Sequence, residues 1–124
     1  MKHYLLVALF ISCAFIFFSC SANKNDIKIS VKESGHIYQF TASYPESKTH
    51  KVQRVINNGI KPDSFFENGN VYVDATTTLG DKTSFYIKFA PGDLAIKLDR
   101  NKNTNASYRR IKEICEEIKN SLKD

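Results

Sequence analysis

The chain has 124 residues, 42% of them hydrophobic and 25% charged, with a formal net charge of +5. That length suits one principal domain. The charge is mild and no long basic run tracks along the chain, which argues against a nucleic-acid partner.

The first element is a leader. Met1-Lys2-His3-Tyr4 makes a short basic start, and Leu5 to Phe18 holds no charged residue. That run is shorter than the about 20 residues of a membrane span. It fits the apolar core of a secretory signal, roughly 7–15 residues behind a basic start. Ser19-Cys20 ends it, and Ser21-Ala22-Asn23-Lys24-Asn25 turns small and polar. On these residues the segment resembles a bacterial lipoprotein signal peptide. Ser19, directly before the cysteine, follows the pattern of that family; Phe17 and Phe18 stand where the family prefers leucine and a small residue.

The resemblance implies cleavage before Cys20, a diacylglycerol on its sulfur and acylation of the new amino terminus. It implies a chain anchored in the cell envelope, with Ser21 pointing to the outer membrane. Residues 1–19 are then the signal, residues 20–26 the lipidated cysteine and a flexible tether, and residues 27–124 a single domain. Two other readings of the same residues stay open: an ordinary signal cut elsewhere, and an uncut anchor from Tyr4 to Ala22. Cys13 is a small hydrophobe inside the leader. Loss of Lys2 with the leader lowers the formal charge to +4, which serves solubility and attracts anionic surfaces only weakly.

Past the tether, "DIKISVKE" alternates strictly, with Ile27, Ile29 and Val31 on one side and Lys28, Ser30 and Lys32 on the other, the pattern of a half-buried strand. A turn at Gly35 leads to "IYQFTASY", with Tyr38, Phe40, Ala42 and Tyr44 on one face; the two runs form a hairpin. Pro45 stops the second strand. Ser47 is the expected cap of a helix over "KTHKVQRVINNG", whose Val52, Val55 and Ile56 recur at helical spacing, with Ile60 beyond. Asn58-Gly59 is the expected stop, since glycine takes the left-handed conformation cheaply, and Pro62 prevents resumption. Phe65 and Phe66 are expected to plug the core edge. "VYVDATTT" alternates with Val71, Val73 and Ala75 inward. A turn at "LGDK" leads to "TSFYIKFA", with Phe85, Ile87 and Phe89 inward. "PGD" turns again into "LAIKLD", with Leu94, Ile96 and Leu98 inward. These three strands make an antiparallel meander. A last helix runs from about Asn105 to Leu122, its apolar residues at 108, 111, 115, 118 and 122.

The order is ββαβββα. Clean alternation gives each strand one wet face, as in antiparallel sheets. The expected fold is α+β: a two-layer sandwich of about five antiparallel strands with both single-striped helices on one face. The open face would carry Lys28, Lys32, Tyr72, Tyr86, Lys88 and Lys97, with Asp74 and Asp99 among them. Tyrosine beside lysine can grip a sugar, a peptide or a protein, because tyrosine offers a rigid apolar plate with a polar tip; a solvated face of strand-favouring residues is the alternative.

Other candidates carry less. Asp99, Asn101 and Asn103 alternate as in the first half of a calcium loop, but the sixth and twelfth positions, which need glycine and glutamate, are Thr104 and Arg110. His36 and His50 have no ligand partner at metal spacing. Cys115, the one cysteine left once Cys20 is lipidated, allows no internal disulfide and lies on the stripe of the last helix as a small hydrophobe. No nucleophile elbow and no phosphate cradle is found in the sequence. The expected function is non-enzymatic, without metal or cofactor: a binding or accessory protein attached to the membrane through Cys20, with an envelope protein or glycan as partner. An inhibitor or immunity-type protein that blocks an exported enzyme, and a small hydrolase with a site such as Asp74 and Lys88, are the other classes the sequence leaves open.

Overall fold

The computed structural model describes residues 26–66 and 71–123. The leader, Cys20 and the tether up to Asn25 lie outside those residues. Seven main elements follow in order: β1 (Lys28–Ser34), β2 (Ile37–Ser43), α1 (Thr49–Ile60), β3 (Val73–Thr78), β4 (Ser84–Ala90), β5 (Asp93–Asp99) and α2 (Asn105–Leu122). The fold is α+β, with the five strands in one antiparallel sheet in the spatial order β1-β2-β5-β4-β3. Hairpins join β1 to β2, β3 to β4 and β4 to β5. α1 carries the chain to the far edge, and the meander returns to set β5 against β2.

Every second residue of the inner strands is buried: Tyr38, Phe40 and Ala42 on β2, Phe85, Ile87 and Phe89 on β4, Leu94, Ile96 and Leu98 on β5. They form one core with Val52, Ile56 and Ile60 of α1 and Ile111, Ile114, Cys115, Ile118 and Leu122 of α2, so both helices cover the same sheet face. The helices run antiparallel. Lys48 Nζ, ahead of α1, donates to the Leu122 carbonyl at 3.1 Å, and Arg110 Nε donates to Gly59 O at 3.2 Å at the other end. Phe65 and Phe66 close the core edge, Phe66 against Phe89 at 4.8 Å between ring centres.

Three local expectations change. Ser47 is no cap: it lies in a 3-10 turn, Glu46–Lys48, started by Pro45, and α1 begins at Thr49 with Lys48 at its cap and no side-chain cap bond. Gly59 does not stop α1, which runs on to Ile60; Pro62 imposes the end, since the residue before a proline is pushed to extended backbone and Lys61 has ψ 141°. Gly59 is instead where the helices meet. A Cβ built there would stand 2.4 Å from Ile114 Cγ1, closer than any side chain tolerates. The strand expected from Val71 starts at Val73, and Ala75 is exposed although it pairs with the buried Ile87, because the helix layer stops short of the sheet edge.

α2 begins as its sequence dictates. Thr104, in extended backbone, accepts from Ser107 N at 3.0 Å. The β4–β5 turn needs Gly92, which has φ +78° and lies where a Cβ would come within 2.8 Å of Tyr44 O. Tyr44 N donates back to Gly92 O at 3.0 Å, and Gly92 N donates to Thr49 Oγ1 at 3.0 Å. One turn thereby ties down both the end of β2 and the start of α1.

Candidate functional site

The face of the sheet opposite the helices has no element over it among the described residues. Cross-strand register sets its side chains in rows. One row runs Lys32, Gln39, Lys97, Tyr86, Thr76; the next runs Ser30, Thr41, Ala95, Lys88, Asp74; the third runs Lys28, Ser43, Asp93, Ala90. Five of the six residues singled out from sequence therefore share this face. Tyr72 lies just before β3 and is 65% exposed.

The six do not converge. Tyr86 and Lys97 are direct neighbours, with Lys32 two strands beyond, but Lys28 belongs to the opposite corner of the face from Tyr86. Strand spacing of about 4.8 Å puts roughly 20 Å between β1 and β3. The face consists instead of a floor of small residues, Thr41, Ala95 and Ala90, flanked by long ones. Shallow depressions follow from this. One lies over Thr41, Ala90 and Ala95 beside Lys88 and Asp93, one between Ser30, Lys32, Gln39 and Thr41, one beside Tyr86, Lys97 and Asp99, and one at the β1 end beside Lys28, Ser30, Ser43 and Asp93. Gln39, Thr41, Asp93 and Ala95 are missing from the sequence-derived set. Their outward alternation was visible, but the β2–β5 pairing that brings them together joins strands far apart in the chain.

One polar contact organises the β3 side. The Tyr86 hydroxyl donates to Asp74 Oδ1 at 2.7 Å, and this bond to the carboxylate raises the Tyr86 pKa. Asp74 stands opposite Lys88 in register, so tyrosine, carboxylate and ammonium occupy adjoining positions. All are solvated, and among the described residues no water-excluding cleft surrounds them.

Several other titratable groups make contacts within the fold. Burial pushes the Cys115 thiol up to about 12, and Tyr38 beside it is raised well above its ordinary range by burial and by Cys115. A thiol so placed stays protonated near neutral pH and is no nucleophile. The calcium-like turn is used as a clamp. Asp99 Oδ1 accepts from Asn101 N at 2.9 Å. Asn103 accepts from Ser84 N at 2.8 Å and donates to the carbonyls of Ser84 and Asp99 at 2.9 and 2.8 Å. Among the described residues no three His, Cys, Asp or Glu side chains gather as a metal ion needs. His36 meets a carboxylate across the sheet, Asp99 at 3.6 Å, and His50 Nδ1 is 3.2 Å from Gln53 Oε1. Arg110, in the place of the calcium-loop glutamate, reaches Asp81 Oδ2 at 2.8 Å and the carbonyls of Gly59 and Lys61 at 3.2 and 3.0 Å. It locks α1, α2 and the β3–β4 turn together. Among the described residues no helix is long and apolar enough to cross a membrane.

Comparison with protein-family models, with curated proteins and with solved structures finds no match to this chain.

Proposed function

We propose that the chain is a small lipoprotein of the bacterial cell envelope, carried on the outer membrane by a lipid at Cys20, and that its domain acts as a non-enzymatic binding or accessory protein. The open sheet face, or an edge of the sheet, meets an envelope protein or glycan. One observation supports this above the others: among the described residues nothing covers one whole sheet face, with Lys32, Lys88, Lys97 and Tyr86 standing around a floor of small residues. Lysine stems and tyrosine rings lend apolar area while their polar tips remain available for hydrogen bonds. A flat, ridged surface suits an extended chain or a polysaccharide better than a compact metabolite. The depression at the β1 end holds about 280 Å3, below the about 300–1,000 Å3 typical of enclosed small-molecule sites. Hydrolysis asks for an acid and a base in contact inside a cleft, and the Asp74–Tyr86–Lys88 group is open to water.

The test begins with the full chain extracted from bacterial membranes. Its intact mass should lack residues 1–19 and carry a diacylglycerol that a Cys20→Ser variant lacks. Affinity capture from solubilised envelope should then recover a partner with the wild type and lose it with a Tyr86→Ala/Lys97→Ala variant. Repeated capture that recovers nothing counts against the binding role. A tight stoichiometric complex with an exported hydrolase would make the protein an inhibitor.

A further inference from the structure

The two edges of the sheet differ in how they are finished. Among the described residues β1 has a neighbour on one side only, and its seven residues pair with β2 in unbroken register. Natural sheets blunt such edges with proline, bulges, very short strands or charged side chains; β1 lacks the first three and relies on Lys28, Lys32 and Glu33. On its helix side Ile29 and Val31 are apolar, and Glu33 accepts from the Tyr108 hydroxyl of α2. Ile29 and Val31 stand opposite Ala42 and Phe40, whose side chains are buried, but Val31 is 48% and Ile27 37% exposed because the helix layer ends before reaching them. The other edge strand, β3, shows mostly threonine and Asp74.

We propose that β1 pairs antiparallel with β1 of a second copy of this chain, about a two-fold axis at Ile29, to make one continuous sheet of ten strands from two of five. An axis normal to the sheet keeps the helix sides of both copies on one face only if residues of like parity oppose each other. That condition leaves few registers. Centring on Lys28, Ser30 or Lys32 sets lysine against lysine. Centring on Glu33 sets glutamate against glutamate, and centring on Val31 sets Ile29 against Glu33. Centring on Ile29 sets Ile27 against Val31 twice, Ile29 against itself, Lys28 against Ser30 and Asp26 against Lys32 twice. Among the registers centred from Lys28 to Glu33, the last matches apolar with apolar on the helix side and opposite charges on the open side. Six apolar side chains then close over the seam and join the two cores, while the outward backbone groups of both edges gain partners.

The opposed stretch, residues 26–32 of each copy, takes five residues of β1 and the two that precede it and makes a small interface. Its occupancy therefore rests on the anchor reading, since confinement to a membrane surface raises the effective concentration of one copy around another.

The experiment is oxidative cross-linking of the full-length chain in native membranes. Ile29→Cys should give a covalent dimer, because the two copies of residue 29 oppose each other within disulfide reach. Val31→Cys should give little, because its two copies lie about 14 Å apart along the strand. The unsubstituted chain is the control for Cys20 and Cys115. Lys32→Glu should weaken the dimer about three- to tenfold, counting two exposed ion pairs, and Asp26→Lys/Lys32→Glu should restore it. Cross-linking of Val31→Cys as strong as that of Ile29→Cys, a charge swap without rescue, a cross-link to another protein or to the chain's own leader, or a monomer at every concentration overturns the pairing. A chain that lacks the lipid yet dimerises when concentrated keeps the pairing and removes the anchor; a lipidated chain that stays monomeric does the reverse.

Discussion

On the helix side of the central strands Phe40 faces Ile96, and one residue further, on the open side, Thr41 faces Ala95. Phe40 is 1% and Ile96 2% exposed, whereas Thr41 and Ala95 stay half-buried on a surface that no other described residues cover. The same backbone ladder supports both pairs, so the ladder does not distinguish them. The helix layer does. It turns one face into a close-packed interior, where each methylene contributes, and leaves the other as a surface whose composition is free to serve recognition. The contrast fades towards both edges, where Val31 and Ala75 point to the helix side and are still exposed.

The largest effects should come from the covered face. Ile96→Ala should cost about 2–5 kcal/mol, lost methylenes plus a cavity, while Ala95→Ser, one residue away, should stay within about 0.5 kcal/mol. Urea unfolding of both variants measures the contrast, and similar losses would break it. Next comes the helix junction. Gly59→Ala should destabilise by about 1–3 kcal/mol through overpacking against Ile114, offset by up to about 1 kcal/mol of helix propensity. Adding Ile114→Ala should recover part of the loss, so a double-mutant cycle sharpens the assignment. Arg110→Ala removes bonds to Asp81, Gly59 and Lys61 at a partly exposed site and should cost about 1–2 kcal/mol by thermal melting.

Asp81 carries the pH dependence of that corner. The hydroxyl and amide of Thr83, then the Arg110 guanidinium, hold its pKa below the ordinary carboxylate value. A carboxylate favoured in the fold stabilises it above the unfolded pKa and loses that contribution as pH falls through the lowered, folded one. Wild-type stability should therefore decline further than that of Asp81→Asn between about pH 5 and pH 2. The group is half exposed, so the difference should be a few tenths of a kcal/mol. Identical acid profiles would detach Asp81 from the clamp. The smallest stability effect belongs to the open face. Lys32→Ala or Lys97→Ala should change unfolding by less than about 0.5 kcal/mol while reducing partner capture, and a large loss of stability would assign these lysines to the fold.

The sequence by itself determined the elements. Alternation of period two marked the strands, the residues at 108, 111, 115, 118 and 122 marked α2, and the turns at Gly35, Asp81 and Gly92 joined the hairpins. These are local properties, set by which side chains a pleat or a helix puts on one side. It also placed Lys28, Lys32, Tyr86, Lys88 and Lys97 on the uncovered face, because parity along a strand is fixed once one face is buried. Only the tertiary structure decided which strands became neighbours, and so set Tyr86 beside Lys97 and opened the floor at Thr41 and Ala95. Only it turned Gly59 from a stop into a point of helix contact, Arg110 and Asn103 from failed calcium ligands into clamps, and Ile27 and Val31 from half-core residues into an exposed apolar rim. In each case the deciding partner lies far away in the chain, and a periodicity read within one segment holds no information about which distant surface will close against it.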